Sequence, residues 1–236
     1  MTEVIIALDF DDPENAVDFA HKIKNETSWV KVGLELFIRG GPEVVVRLKQ
    51  MGFYVFLDLK LLDIPNTVSG AVSSSVDIGA DMLTLHILGG EKMIQAAINA
   101  KNRTTGEKSK IILLGVTLLT SMDQDDLPWP DRRDTGEIVC DLARRAHTLG
   151  LDGCVCSGLE AGRIRKMTDR DFYLVTPGIR LEPAKDDQKR VVTPEQAQAS
   201  GADFLVIGRP VIKNADPVHA LREIKKRLTR NSEKFQ

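Results

Sequence analysis

Cysteine is scarce in this 236-residue chain, net charge is nearly absent, and no apolar run is long. The three cysteines, Cys140, Cys154 and Cys156, form an odd, sparse set that argues against a disulfide framework and suits a reducing compartment. Cys154 and Cys156 stand as C-x-C, not as the C-x-x-C pairs of a zinc site, and read as small buried hydrophobes on a strand. Thirty-two Lys and Arg face 34 Asp and Glu, for a net charge of −2. That balance excludes a broad basic field for nucleic acid but leaves room for a small local anion site. The longest apolar run, from Ile111 to Leu119, falls far short of the roughly 20 residues of a membrane helix. Glu3 and Asp9 come too early for a signal-peptide core. The expectation is a soluble, cytoplasmic protein with no nucleic-acid or membrane partner. What is present is ordinary for a globular chain: 42% hydrophobic and 28% charged residues. A chain of this length buries roughly 70–75% of its unfolded surface and needs no disulfide or metal to hold a core.

Short apolar runs recur with helical patterns between them. Strands are expected over 4–8, 29–33, 55–60, 82–86, 111–118, 153–157, 172–176 and 204–208. Most are continuous apolar runs, as in parallel strands covered on both faces. Asp12-Pro13 and Gly41-Pro42 place proline at a first helical position. Gly79-Ala80-Asp81, Gly150-Leu151-Asp152 and Gly201-Ala202-Asp203 form a weak internal repeat in which glycine ends a helix in the left-handed region just before a strand, and Met51-Gly52-Phe53 does the same. Eight strands, each followed by a helix, give an α/β fold of the (β/α)8 TIM-barrel class, with residues 1–236 as a single domain. A doubly wound open sheet is the alternative, but Asp9-Phe10-Asp11-Asp12-Pro13 is not the glycine-rich turn that would bind a dinucleotide there. The polar stretches 101–110 and 122–136 read as surface loops, and the basic C-terminal stretch around Lys225 and Arg230 as a solvated helix end.

Barrel chemistry sits at the C-terminal strand ends, and this sequence places charge there. Asp9 follows strand 1, Lys31 lies between Val30 and Val32 in strand 2, and Asp58 and Lys60 end strand 3. Period-two alternation puts Asp58 and Lys60 on one face and Leu59 on the other. Asp63 follows on the loop. Asp9 alone could cap a helix and Lys31 alone could reach solvent. The alternating signs of Asp58, Lys60 and Asp63 are costly to bury unless each is paired, although a structural ion network would also satisfy them. Thr176-Pro177-Gly178-Ile179-Arg180 and Ile207-Gly208-Arg209-Pro210 follow strands 7 and 8, the usual phosphate position of this fold. Glycine lets backbone N–H groups approach an anion, and Arg209 can form a bidentate pair with it. The polar stretch 181–190 could close over a bound phosphate. His86 ends strand 4 without a partner at metal-ligand spacing, no serine sits in a G-x-S-x-G elbow, and His21, His147 and His219 fall on helical segments.

Asp58-Leu59-Lys60-Leu61-Leu62-Asp63-Ile64-Pro65-Asn66-Thr67 resembles the D-x-K-x-x-D-I-P-x-T signature of the orotidine 5′-phosphate decarboxylases, in their short, monofunctional bacterial form. Ala7-Leu8-Asp9, Val30-Lys31-Val32-Gly33, Gly89-Gly90, Leu119-Thr120-Ser121, Val155-Cys156-Ser157, Asp187-Gln188 and the two arginine turns extend the resemblance over nearly the whole chain. Leu62 departs from it, since many bacterial members carry histidine there. The resemblance implies conversion of orotidine 5′-monophosphate to uridine 5′-monophosphate and CO2, the last step of de novo pyrimidine synthesis, with no cofactor and no metal. It implies Lys60 as proton donor to C6, Asp58 beside the substrate carboxylate, and Lys31 bonding Asp58 and the ribose. It further implies Asp9 on a ribose hydroxyl, Thr120 and Ser121 facing the pyrimidine, and Arg180, Gln188, Gly208 and Arg209 on the phosphate. It also implies a homodimer in which Asp63, Ile64 and Thr67 reach the neighbouring site. Competing readings are a metal-dependent sugar-phosphate enzyme on the same barrel and a non-catalytic nucleotide binder.

Overall fold

The computed structural model describes residues 2–104, 111–127, 134–181 and 190–233. Eight strands lie in them: β1 Glu3–Ala7, β2 Trp29–Gly33, β3 Tyr54–Leu61, β4 Met82–His86, β5 Ile112–Val116, β6 Gly153–Val155, β7 Tyr173–Thr176 and β8 Phe204–Ile207. Each pairs in parallel with the next, and β8 pairs with β1, so the sheet closes into a barrel in sequence order. Helices α1 Pro13–Ile23, α2 Leu34–Gln50, α3 Pro65–Asp77, α4 Gly90–Thr104, α5 Thr135–Leu149, α6 Gly158–Arg165, α7 Pro194–Ala199, α8 Arg209–Ile212 and α9 Pro217–Glu233 alternate with the strands. The expected strands are all present: β2 and β4 keep their expected bounds, and no end of the others shifts by more than two residues. Residues 101–104, expected in a loop, instead complete α4, where Lys101 in the last turn bonds Asp152.

Both prolines read as helix starts hold that place. Asp12 caps α1 by accepting the Glu14 N–H, with Pro13 in the first turn. The α2 span breaks at Gly41 (φ 58°), and Pro42 opens its second part. The three cysteines are buried.

The Gly-x-Asp repeat has a physical basis beyond its glycine. Gly150 (φ 88°) ends α5 in a conformation that side-chain-bearing residues rarely adopt, and Gly79 and Gly201 match it. The aspartate two positions on then ties three elements together. Asp81 accepts the Val55 N–H at 2.7 Å and pairs with Lys49 at 2.6 Å. Asp152 accepts the Leu113 N–H at 2.7 Å and pairs with Lys101 at 2.6 Å. Asp203 accepts the Leu174 N–H at 2.7 Å and pairs with Arg165 at 2.5 Å. In each case the cation comes from the end of α2, α4 or α6, and the N–H from the strand that follows it. The barrel is thus stapled at its N-terminal end by three copies of one βαβ corner.

The apolar core divides in two. The larger part lies between strands and helices. The smaller part consists of strand residues alone, including Ile5, Ala7, Trp29, Phe56, Met82, Leu114, Val175, Phe204 and Val206, with Val155 and Tyr173 against them. Because these alternate along their strands with the helix-facing set, they fill the barrel interior. Trp29 stacks on Tyr54 and meets Phe204 edge-on, closing the lower end. Above this plug the interior positions change character: Lys31 is two residues past Trp29, Asp58 two past Phe56, and Thr84 two past Met82.

Candidate active site

At the C-terminal mouth, Asp58 is the hub of a charge cluster. Its Oδ2 accepts from the Lys60 ammonium at 2.9 Å and faces Lys31 Nζ at 3.7 Å. Its Oδ1 accepts from the Thr84 hydroxyl at 2.9 Å. Lys31 in turn reaches Asp9 Oδ1 at 3.3 Å. Asp58 and Lys31 side chains are only 13% and 11% exposed, whereas Asp9 is 54% exposed and marks the solvent edge. Burial by itself would raise the Asp58 carboxyl; the charges of Lys31 and Lys60, together with hydrogen bonds from Lys60 and Thr84, outweigh it and hold the group below its ordinary value. Asp58 is therefore ionised at neutral pH. His86 is pushed the other way: burial, then the Lys60 charge, lower its pKa against a small opposing effect of Asp58. Its buried Nδ1 has no hydrogen-bond partner among the described residues.

Simple alternation does not account for how Lys60 reaches this cluster. The β3–β4 ladder shifts register between Leu57 and Leu61, and Lys60 takes φ 51°, alone among the described non-glycine residues in having positive φ. Thr84 holds this bend, because its hydroxyl also accepts the Lys60 N–H at 2.9 Å. One buried threonine thus fixes both the Lys60 backbone and the Asp58 carboxylate. Backbone held in a sparsely populated region is common where a side chain must be aimed.

Beside the cluster lies a cavity of about 270 Å³. Ala7, Phe56, Val155 and Val206 supply apolar surface to it. Asp9, Lys31, Asp58 and Lys60 line it together with Thr120 and Ser121 from the loop after β5, Gly178 and Arg180 from the turn after β7, and Gly208 and Arg209 after β8. Gly208 has little room for a side chain: a Cβ there would come within 3.1 Å of the Asp9 carboxylate. The cavity therefore carries an alternating charge cluster and two guanidinium-bearing turns on one apolar base. Among the described residues no group of three or more His, Cys, Asp or Glu is arranged to hold a metal ion.

Three expected site residues stand elsewhere. Asp63 and Ile64 are exposed on the β3–α3 connection and Thr67 is exposed in the first turn of α3, and the Asp63 carboxylate accepts the Ile64 N–H at 2.6 Å. Gln188 and most of the stretch 181–190 lie outside the described residues. Thr84 was not legible as a site residue, since a threonine inside a strand reads simply as a good strand former. Glu160 and Arg190, a buried pair at 3.1 Å near the cavity, were also missed.

A model of the orotidine 5'-phosphate decarboxylase / HUMPS family matches residues 2–224. This chain belongs to that family. Family members with similar sequences include the orotidine 5'-phosphate decarboxylase of Maridesulfovibrio salexigens, 50% identical over 224 residues covering 95% of this chain and 97% of that one. The enzyme of the same name from Nitrosomonas europaea is 48% identical over 93% of this chain and 94% of its own. Among solved structures, that of orotidine 5'-phosphate decarboxylase from Lactobacillus acidophilus superposes with a TM-score of 0.85 at 37% identity, covering 97% of this chain and 99% of that one. The closed barrel of the decarboxylase family is thus shared. No helix among the described residues is long and apolar enough to cross a membrane.

Proposed function

We propose that this protein decarboxylates orotidine 5′-monophosphate to uridine 5′-monophosphate, as a carboxy-lyase completing de novo pyrimidine synthesis. The observation that carries the reading is the Lys31–Asp58–Lys60 cluster set in one cavity with Arg180 and Arg209. Near-complete matches to proteins named for this activity support it.

The chemistry follows from the charges. Breaking the C6–carboxylate bond leaves its electron pair on C6, in an orbital the pyrimidine cannot delocalise. Stabilisation must then come from fixed positive charge in a site of low dielectric. Lys60, anchored by Asp58, supplies that charge and then passes a proton from Nζ to C6. The ionised Asp58 stands beside the substrate carboxylate and keeps both ammonium groups in place. Lys31 bridges Asp58 to the ribose, and Asp9 accepts from a ribose hydroxyl. Thr120 and Ser121 face the pyrimidine. Arg180 and Arg209 clamp the phosphate by charge-assisted bonds, with the Gly208 backbone and Gln188 completing its shell. Phosphate contacts remote from C6 lower the barrier by holding the ring against the cluster. The reaction uses no cofactor and no metal.

The functional unit is a cytoplasmic homodimer in which Asp63, Ile64 and Thr67 complete the neighbour's site. Exposed Leu34, Ile38, Leu62, Ile64 and Leu88, on the segments after β2, β3 and β4, support an interface beside Asp63. The deciding assay is the loss of orotidylate absorbance with purified protein, with and without EDTA. Turnover that persists in EDTA is expected. Absence of turnover, or its abolition by EDTA, would overturn the proposal, the latter in favour of a metal-dependent sugar-phosphate reaction.

A further inference from the structure

The Glu160–Arg190 pair lies outside the charge cluster, yet Arg190 contacts one cavity-lining residue, Leu119, and stands two residues before Val192, which pairs with the turn bearing two others, Gly178 and Arg180. Arg190 begins the segment that returns to the turn after β7. There Val192 donates its N–H to Gly178 O at 3.3 Å, and Arg180 donates its own to Val192 O at 3.0 Å. This short parallel bridge fixes the backbone beside Arg180. The Arg190 side chain then spans the top of β6. Its Nη1 donates to Glu160 Oε1 at 3.1 Å, and its Nη2 donates to Leu119 O at 3.3 Å. Leu119 lies in the loop after β5 and lines the cavity next to Thr120 and Ser121. Gly158, at the start of α6, leaves no space at this junction, since a Cβ there would meet Val192 at 2.5 Å. Arg190 therefore joins the helix after β6 to the loop bearing Thr120 and Ser121 through its guanidinium, and to the turn bearing Arg180 through the main chain at Val192.

As a stabilising device the pair is poor. The Arg190 and Glu160 side chains are 10% and 7% exposed, so both charges are largely desolvated. Glu160 Oε2 and Arg190 Nε are buried without a hydrogen-bond partner among the described residues. Burial raises the Glu160 carboxyl even against the lowering influence of Arg190. A buried pair with unmet hydrogen bonds contributes little net stability, and a well-packed apolar replacement often matches it. What such a pair does supply is a fixed geometry between elements.

We propose that Glu160 and Arg190 are positioning residues that couple the phosphate-side turn Gly178-Ile179-Arg180 to the base-side loop Leu119-Thr120-Ser121. The inference rests on the decarboxylase reading and deepens it. Phosphate engagement at Arg180 is transmitted through Val192 and Arg190 to the loop that faces the pyrimidine. Neither residue touches the reacting atoms.

The test compares orotidine 5′-monophosphate with orotidine, which has the same ring and ribose but no phosphate, at high enzyme concentration. Arg190→Ala should lower kcat/KM for the nucleotide by about 5–150-fold, the usual range of coupling between sites. Turnover of orotidine should change by less than about threefold, because the coupling has nothing to transmit. Glu160→Gln, which keeps the volume but removes the charge, should show a smaller loss with the same selectivity. Parallel losses on both substrates would overturn the proposal and leave the pair a general scaffold, as would an unchanged nucleotide reaction. If both variants fail to fold, the pair is a stability element and the proposal falls. Wild-type protein inactive on orotidine 5′-monophosphate would overturn the decarboxylase reading itself; active wild type with either negative result above overturns only the coupling.

Discussion

Lys60 offers a sharp test, because its backbone and its side chain make separable demands. Replacing it by alanine or by glycine removes the same ammonium and the same 2.9 Å bond to Asp58. Asp58 keeps Lys31 and the Thr84 hydroxyl in both variants. Both should therefore fold, and both should lose turnover by at least about 10²–10³-fold if the ammonium stabilises developing charge. The two differ in whether the position at φ 51° carries a Cβ. A left-handed residue with a Cβ costs roughly 1–2 kcal/mol. Glycine loses about 0.5–1 kcal/mol more than alanine through conformational entropy. At mid-range the balance favours Lys60→Gly over Lys60→Ala by about 0.75 kcal/mol. At a regular strand position the order is reversed, so the sign alone is diagnostic. For a chain of this length, about 1 kcal/mol moves Tm by roughly 2–4 °C. The glycine variant should thus melt about 1–4 °C above the alanine variant, with a matching difference in urea midpoint at unchanged m. A glycine variant that melts at or below the alanine variant would refute the claim that Lys60 is held in a strained conformation.

Asp152→Ala removes the acceptor of the Leu113 N–H and the partner of Lys101, and should cost about 1.5–3 kcal/mol, read as a lowered urea midpoint with substrate affinity unchanged. Asp152→Asn, which can still accept from Leu113, should lose less; equal losses would count against the stapling role. His86 has its pKa lowered in the fold by burial and by Lys60, with Asp58 opposing, so the unfolded chain binds the proton more readily. Its contribution makes stability rise as pH climbs towards 6.5, the ordinary value, and fall as pH drops below it. The urea midpoint should therefore increase between about pH 5 and 7, and His86→Gln should flatten that increase; an identical slope in the variant would discount His86. On the proposed sharing of Asp63 between subunits, mixing inactive Lys60→Ala and Asp63→Ala proteins should restore activity as subunits exchange, since a hybrid dimer would then hold one intact site. Mixtures that exchange subunits, as followed by labelled chains, yet stay inactive would rule out a cross-subunit Asp63.

The fold was legible because its signals are local. Each parallel strand is a short apolar run, and the helices before β3, β4, β6 and β8 end on a glycine within three residues of the strand, at Gly52, Gly79, Gly150 and Gly201. The Gly-x-Asp repeat could be seen, but the work of its aspartate could not, since Lys49 and Asp81 lie 32 residues apart and Lys101 and Asp152 lie 51 apart. Asp9, Lys31, Asp58, Lys60, Arg180 and Arg209 could be placed in one mouth because barrel topology brings every strand end to the same rim.

The route taken by Lys60 shows where that reasoning stops. Alternation along an unbroken strand correctly groups Lys60 with Asp58, but for an incomplete reason. The ladder is irregular at that point, and the ammonium reaches the carboxylate through a left-handed residue pinned by a threonine on the next strand. Hydrophobic pattern carries no mark of such a bend, because the pattern records which face a side chain occupies and not what the backbone does to put it there. The same holds for Glu160, which reads as a solvated residue in the first turn of a helix until Arg190, 30 residues later, is brought against it. Charges near a mouth can thus be found one at a time from sequence. What aims them is the set of long-range contacts that closure of the barrel creates, and variants at Thr84, Glu160 and Arg190 probe that layer more directly than further substitutions of the charges themselves.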